Sequence, residues 1–216
     1  MKHVIAGLFP QPITKLECNV EGICDFFDAA VKNNGEVVAA NFYFGGGSSR
    51  LLHYHNDSNV FGIYPELKNL HDEILEKSNF VYQKILNHES DLFITNAWFN
   101  ECQVGGNQKP HNHTNSVLSG TVYLRTDENT SVNFYSPYGY ANTCNSLTND
   151  PTDAPNEYGY NFHHKTVTLN VDSGDCLFWE SFMKHGYKDN KTPNRLSLSF
   201  NLMPNTFRNL YKPHEI

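Results

Sequence analysis

Many short alternating apolar runs separated by turn-forming residues, with helical patterns confined to the first 90 residues, predict a mainly β fold with supporting helices (α+β). The expected core is a double-stranded β-helix, or jelly-roll. No linker composition and no repeat divides the 216 residues, so one domain is expected over 1–216. Within it, 1–90 supply helical and strand support and 91–204 the jelly-roll core. At 39% hydrophobic and 13% aromatic, a chain of this length supports one substantial core.

The elements follow in order. Residues 1–20 read as an entering extended segment, with Leu8-Phe9-Pro10-Gln11-Pro12 non-helical. Over 21–31, Ile23, Phe26, Phe27, Ala30 and Val31 recur at three- and four-residue steps, a short amphipathic helix closed by Asn33-Asn34-Gly35. Residues 37–44 read as a strand. Gly45-Gly46-Gly47-Ser48-Ser49 lacks the Gly-Lys-Ser/Thr ending of a phosphate loop and reads as a turn. Leu51-Leu52-His53-Tyr54-His55 carries a His-x-His pair, but turn chemistry follows in Asn56-Asp57-Ser58-Asn59 and no Arg-x-Ser partners it. Surface or partly buried histidines are the expectation there. Residues 65–86 form the long helix, with Pro65 in its first turn and Leu67, Leu70, Ile74, Leu75, Val81 and Ile85 as a core-facing stripe.

The second half reads as strands. Residues 91–104 place Trp98, Asn100 and Cys102 on one parity, and Gly105-Gly106-Asn107 turns the chain into Lys109-Pro110-His111-Asn112-His113. Strands follow at 117–124, 131–135, 165–171 and 175–180. Residues 136–160 have no helical or strand period. Their length and four tyrosines (138, 140, 158, 160) predict a loop that covers substrate, a lid.

The last strand organises the chemistry. Arg195, Ser197, Ser199 and Asn201 share one parity, and Leu196, Leu198, Phe200 and Leu202 the other. A polar row with one Arg and two Ser predicts a lined cavity behind an apolar face. His185 precedes Arg195 across a Gly/Asn/Pro-rich turn. His111 and His113, two apart on extended backbone, leave from one face. Together with His185 they form a candidate three-nitrogen face for a metal, leaving positions open for a cosubstrate and oxygen. His163-His164 is a competing third ligand, disfavoured by its place at a strand start.

These residues resemble the 2-oxoglutarate/Fe(II)-dependent oxygenase superfamily, more narrowly its small bacterial and phage branch. The likeness spans roughly 93–204: His-x-His, Leu118-Ser119-Gly120 leading to Tyr123-Leu124, Gly174-Asp175 leading to Phe178, the distal His185, and Arg195 with Ser197. Position 113 departs, being His where the wider superfamily has Asp or Glu. The resemblance implies Fe(II) held by His111, His113 and His185, with 2-oxoglutarate chelating the metal and its far carboxylate held by Arg195 and Ser197. Ser119, Thr121 and Tyr123 continue the histidine parity if the strand is unbroken, and Tyr123 is the expected hydrogen-bond partner of the cosubstrate. The implied activity is a hydroxylase-type dioxygenase that consumes molecular oxygen and decarboxylates 2-oxoglutarate.

Two other readings stay open. Three-His cupin-type metalloenzymes use a similar triad without 2-oxoglutarate, but usually carry a Glu soon after the His pair, and 115–119 contain none. A jelly-roll binding module with a vestigial site is the non-enzymatic alternative. The formal net charge of −7 argues against general nucleic-acid binding. No apolar run approaches the roughly 18 residues of a membrane span, and the apolar start is too short, and too soon broken by Pro10, for a signal peptide. Five cysteines without a Cys-x-x-Cys read as free thiols in a reducing, cytoplasmic setting. No motif names the substrate, a small molecule or a peptide side chain, or an oligomeric state.

Overall fold

The computed structural model describes residues 11–42, 46–137 and 166–206. β1 (Ile13–Glu17) enters antiparallel to a strand near the C-terminus. The first helix follows as α1 (Ile23–Phe26), a π-helical turn over Phe27–Val31, and α2 (Lys32–Asn34). Phe27 and Val31, one turn apart, are its fully buried residues. β2 (Val37–Ala39) is shorter than the strand expected over 37–44 and passes into a 3-10 turn, Ala40–Phe42. Among the described residues it pairs only with β3 (Leu51–Tyr54), Ala39 facing Leu52.

Asn59 caps α3 (Val60–Ile63), its side-chain oxygen accepting from Phe61 N at 3.1 Å. A 3-10 turn, Pro65–Leu67, then opens α4 (Lys68–Phe80), which continues as a π-helical turn, Val81–Ile85. Leu67, Leu70, Ile74 and Val81 are buried as expected, but Ile85 is 42% exposed. The Leu86 N–H reaches the Val81 carbonyl, five residues back. That wider turn rotates Ile85 off the core face.

From β4 (Leu92–Cys102) the strands alternate between two sheets except that β7 and β8 share the small one: β5 (Gln108–His111), β6 (Leu118–Arg125), β7 (Ser131–Tyr135), β8 (Thr166–Asn170), β9 (Asp175–Glu180), β10 (His185–Tyr187) and β11 (Arg195–Pro204). The large sheet has the order β1-β9-β6-β11-β4-β3-β2, the small one β5-β10-β7-β8. This antiparallel winding is the double-stranded β-helix expected from the strand pattern.

The large sheet has two different faces. On one, Phe99, Val122, Phe178, Leu196, Leu198, Phe200 and Leu202 pack with Phe27, Val31, Leu70 and Ile74 of the helices in the main core. Each such side chain contributes about 2 kcal/mol of burial. Gly120 sits on this face because a Cβ there would lie 2.3 Å from Phe200 Cζ and 2.8 Å from the Leu177 carbonyl oxygen. The opposite face looks toward the small sheet and carries three polar cross-strand rows: Tyr123–Ser197–Asn100, Thr121–Ser199–Trp98 and Ser119–Asn201–Asn96. The two-residue period of β11 thus separates core from cavity along one strand.

Candidate active site

His111 ends β5, His185 opens β10, and the two face each other across the antiparallel pair. Their ring centroids lie 4.4 Å apart. His113 lies beyond the end of β5. Its N–H donates to Ser181 O at 2.9 Å, and its ring lies 5.2 Å from that of His185 and 5.9 Å from that of Trp98. Donor nitrogens of the three histidines all lie within 4.8 Å of one another.

The condition on which Ser119, Thr121 and Tyr123 would continue the histidine parity, an unbroken strand, does not hold. β5 belongs to the small sheet and β6 to the large one, with residues 112–117 crossing between them. Parity cannot carry across that break. Tyr123 instead reaches the site from the facing sheet.

Two tautomers are set by the backbone. His111 Nδ1 lies 3.0 Å from Lys109 O and His185 Nδ1 lies 3.1 Å from Met183 O. A carbonyl can only accept, so each Nδ1 carries the proton and each Nε2 keeps its lone pair. His113 Nε2 is buried without a partner among the described residues. The Asn201 side chain acts on this ring in favour of its protonated form, against the effect of burial. Asn201 Oδ1 in turn accepts from Ser119 Oγ at 2.8 Å, and Ser119 joins Ser181 and Ser116 through hydroxyl bonds of 2.8 Å. Burial is the leading cause holding all three imidazoles below their ordinary pKa, His113 at about 4, with repulsion from His111 adding to it at His113 and His185. At neutral pH the cluster offers neutral nitrogen donors.

These residues fit a divalent metal. Three nitrogens each roughly 2.1 Å from one ion lie roughly 3–3.5 Å apart, so small ring rotations close the set. No carboxylate joins the cluster among the described residues.

An inner cavity of about 30 Å³ connects the histidines with Tyr123, Tyr187, Arg195 and Ser197. Arg195 is 5% exposed. Its Nη1 donates to Ser131 O at 3.0 Å, and the guanidinium carbon lies 4.0 Å from the Tyr187 ring centroid and 5.7 Å from that of Tyr123. No ion pair among the described residues involves it. The Asp127 carboxylate feels its charge without contacting it, and a buried cation with no carboxylate in contact is costly unless an anion arrives to pair with it. Ser197 stands between Tyr123 and Asn100 in register. Trp179, also on the cavity wall, has a buried indole N–H without a partner among the described residues.

An outer cavity of about 690 Å³ meets the inner one at Trp98, Gln108, His111 and His113. Trp98 and Asn100, expected on one parity, both reach the site. Asn100 Oδ1 accepts from Trp98 Nε1 at 2.9 Å and from His53 Nδ1 at 2.6 Å, and its Nδ2 donates to Ser199 Oγ at 2.9 Å. His53 is therefore buried (5% exposed) in the outer wall, outside the metal-ligand cluster, while His55 bonds Tyr64 Oη at 3.0 Å. Sequence reasoning missed the role of Asn201, although it shares parity with Arg195. It also missed Tyr187, and read Asn56 and Asp57 as turn chemistry only. The lid expected over 136–160 falls almost wholly, and His163-His164 entirely, outside the described residues.

Residues 96–201 match the model of a family described as "Putative 2OG-Fe(II) oxygenase". No curated protein matches the chain. Among solved structures, it is similar to the non-haem α-ketoglutarate-dependent epimerase SnoN from nogalamycin biosynthesis (TM-score 0.61, 15% identity, 91% of this chain and 77% of that one). It is also similar to HygX from Streptomyces hygroscopicus, solved with nickel, 2-oxoglutarate and hygromycin B (0.55, 12%, 91% and 84%). A third is a prolyl-4-hydroxylase from Pseudomonas putida (0.52, 13%, 91% and 94%). At these identities the structural likeness concerns the fold, while the family match runs from β4 to β11 through every candidate ligand. Residues 96–201, every candidate ligand among them, thus match a family of 2-oxoglutarate/Fe(II)-dependent oxygenases, enzymes that use Fe(II), 2-oxoglutarate and molecular oxygen.

Proposed function

We propose that His111, His113 and His185 hold Fe(II) in this dioxygenase, and that Arg195, Ser197 and Tyr123 bind the far carboxylate of 2-oxoglutarate. The observation that carries this reading is the inner cavity, which begins at three imidazoles and ends at a buried guanidinium lacking an ion-pair partner among the described residues. With molecular oxygen as the oxidant, the bound metal and cosubstrate would supply the oxidising chemistry: one oxygen atom would enter succinate as 2-oxoglutarate loses CO2, and the other would hydroxylate a C–H bond of the substrate.

The chain's own residues bind, orient and exclude water. The Lys109 and Met183 carbonyls hold the proton on Nδ1 of His111 and His185 and so leave each Nε2 lone pair free, while Asn201 acts on the third ring. Arg195 presents a planar fork that suits bidentate capture of a carboxylate. Tyr187 stacks against it and Ser131 O fixes one amino group, so its orientation exists before any ligand arrives. The inner cavity has the room of ordered waters rather than of a five-carbon diacid. Cosubstrate entry therefore spreads its walls. Residues 1–216 act as one domain in this reading, with 91–204 as the catalytic core. Free Cys18, Cys24, Cys102 and Cys176 and a ferrous metal suit the cytoplasm. No helix among the described residues is long and apolar enough to cross a membrane.

Anaerobic titration of the Fe(II)-loaded protein with 2-oxoglutarate tests the assignment. A visible charge-transfer band is expected, and Arg195→Ala should weaken cosubstrate affinity about 100-fold, the cost of removing one partner of a buried charged pair. Metal retained without a band would replace this reading with that of a three-His metalloenzyme not using 2-oxoglutarate.

A further inference from the structure

We infer that the outer cavity receives a polyhydroxylated, amine-bearing small molecule of the amino-sugar type as the substrate to be oxidised. The inference rests on the cosubstrate reading of the inner cavity, because both cavities share His111 and His113. At about 690 Å³ the outer cavity suits a small organic molecule.

Its walls are unusual for such a site. Ligand pockets are lined mainly by apolar side chains with a few polar groups. Here Trp98 is the one large apolar side chain among the described lining residues. Asn56, Asn96, Asn112, Asn115, Asn201 and Gln108 dominate instead. A carboxamide presents donor and acceptor side by side, which matches a hydroxyl group, itself both donor and acceptor. An alkyl or aryl substrate would strip water from these amides and return no hydrogen bonds, at a cost of about 1–3 kcal/mol for each one buried.

Charge narrows the class further. No Lys or Arg lies among the described lining residues, so a phosphate, sulfate or carboxylate on the substrate would find no cation in this cavity. Asp57 is the one carboxylate among the described lining residues. It accepts from Asn56 Nδ2 at 3.3 Å and has no ion pair among the described residues. An ammonium group is its natural partner, and the chain's net charge of −7 favours approach of a cation. Amides for ring hydroxyls and one rim carboxylate for an amine together describe an amino sugar.

Binding to the full chain loaded with redox-silent Zn(II), without 2-oxoglutarate, tests this by calorimetry and saturation-transfer NMR. The probes are kanamycin A (amino sugar), trehalose (neutral polyol), glucose 6-phosphate (anionic sugar) and trilysine (cation without hydroxyls). Kanamycin should bind most tightly, trehalose more weakly, and the other two least. Asp57→Asn should weaken kanamycin about fivefold, as befits an exposed ion pair, and leave trehalose unchanged. Asn96→Ala should weaken both. Failure of both sugars to bind, glucose 6-phosphate or trilysine binding as tightly as kanamycin, or an unchanged kanamycin affinity in Asp57→Asn would overturn the inference. Arg195→Ala should retain sugar binding. Sugar binding without 2-oxoglutarate binding would sink the cosubstrate assignment alone, and the converse would sink this one.

Discussion

His113 is the residue on which the chemistry of this site turns. In the proposed site, an imidazole in place of a carboxylate would leave a divalent metal with one more unit of net positive charge, and the Asn201 side chain that acts on this ring is itself tied to Ser119 and Ser181. His113→Ala should lower Fe(II) affinity by about 100-fold, and Asn201→Ala by about tenfold, since loss of an orienting partner costs less than loss of a ligand. Metal titration monitored by calorimetry reads both, with circular dichroism to verify folding. An unchanged affinity in His113→Ala would mean that this ring is no ligand. His-x-His, the distal His185 and Arg195 with Ser197 were legible in the sequence because strand parity and spacing carry them. Asn201 was not singled out, since its meaning lies in a ring brought to it from a different sheet.

At the scale of elements, β11 does two jobs through its alternation. Its leucines and Phe200 close the core against the helices, while Arg195, Ser197, Ser199 and Asn201 line the two cavities. Neighbouring β6 is held close by Gly120, where an added methyl would meet Phe200 and the Leu177 carbonyl. The ring can turn, but the carbonyl belongs to the paired strand. Gly120→Ala should therefore cost about 2 kcal/mol and lower the melting temperature by several degrees. A thermal melt matching the parent would show that the sheet spreads freely at this point. The helical stripe was legible except at Ile85, where the π-helical turn changes the period that the pattern assumes.

Across the whole molecule, the buried histidines link stability to pH. Burial lowers the pKa of His113 from 6.5 to about 4, and His111 and His185 shift in the same direction. Below pH 6.5 the unfolded chain takes up protons that the folded, metal-free protein refuses. Stability is thus fully present above that pH and is lost as pH falls toward about 4. His113 alone should remove on the order of 2 kcal/mol by about pH 5. Denaturant melts of metal-free protein across this range should show the loss, and His113→Ala should reduce it while His111 and His185 keep the remainder. A pH-independent midpoint would mean that the rings are solvated. The sequence alone determined the jelly-roll, the metal-ligand candidates and the arginine opposite them, because strand period, turn chemistry and ligand spacing are local properties of the chain. Only the tertiary structure decided that Tyr123 approaches from the facing sheet, that Tyr187 stacks on Arg195, and that Asn56 and Asp57 share a cavity with Asn201. Those relations depend on which strands the winding places side by side, and no local pattern encodes that.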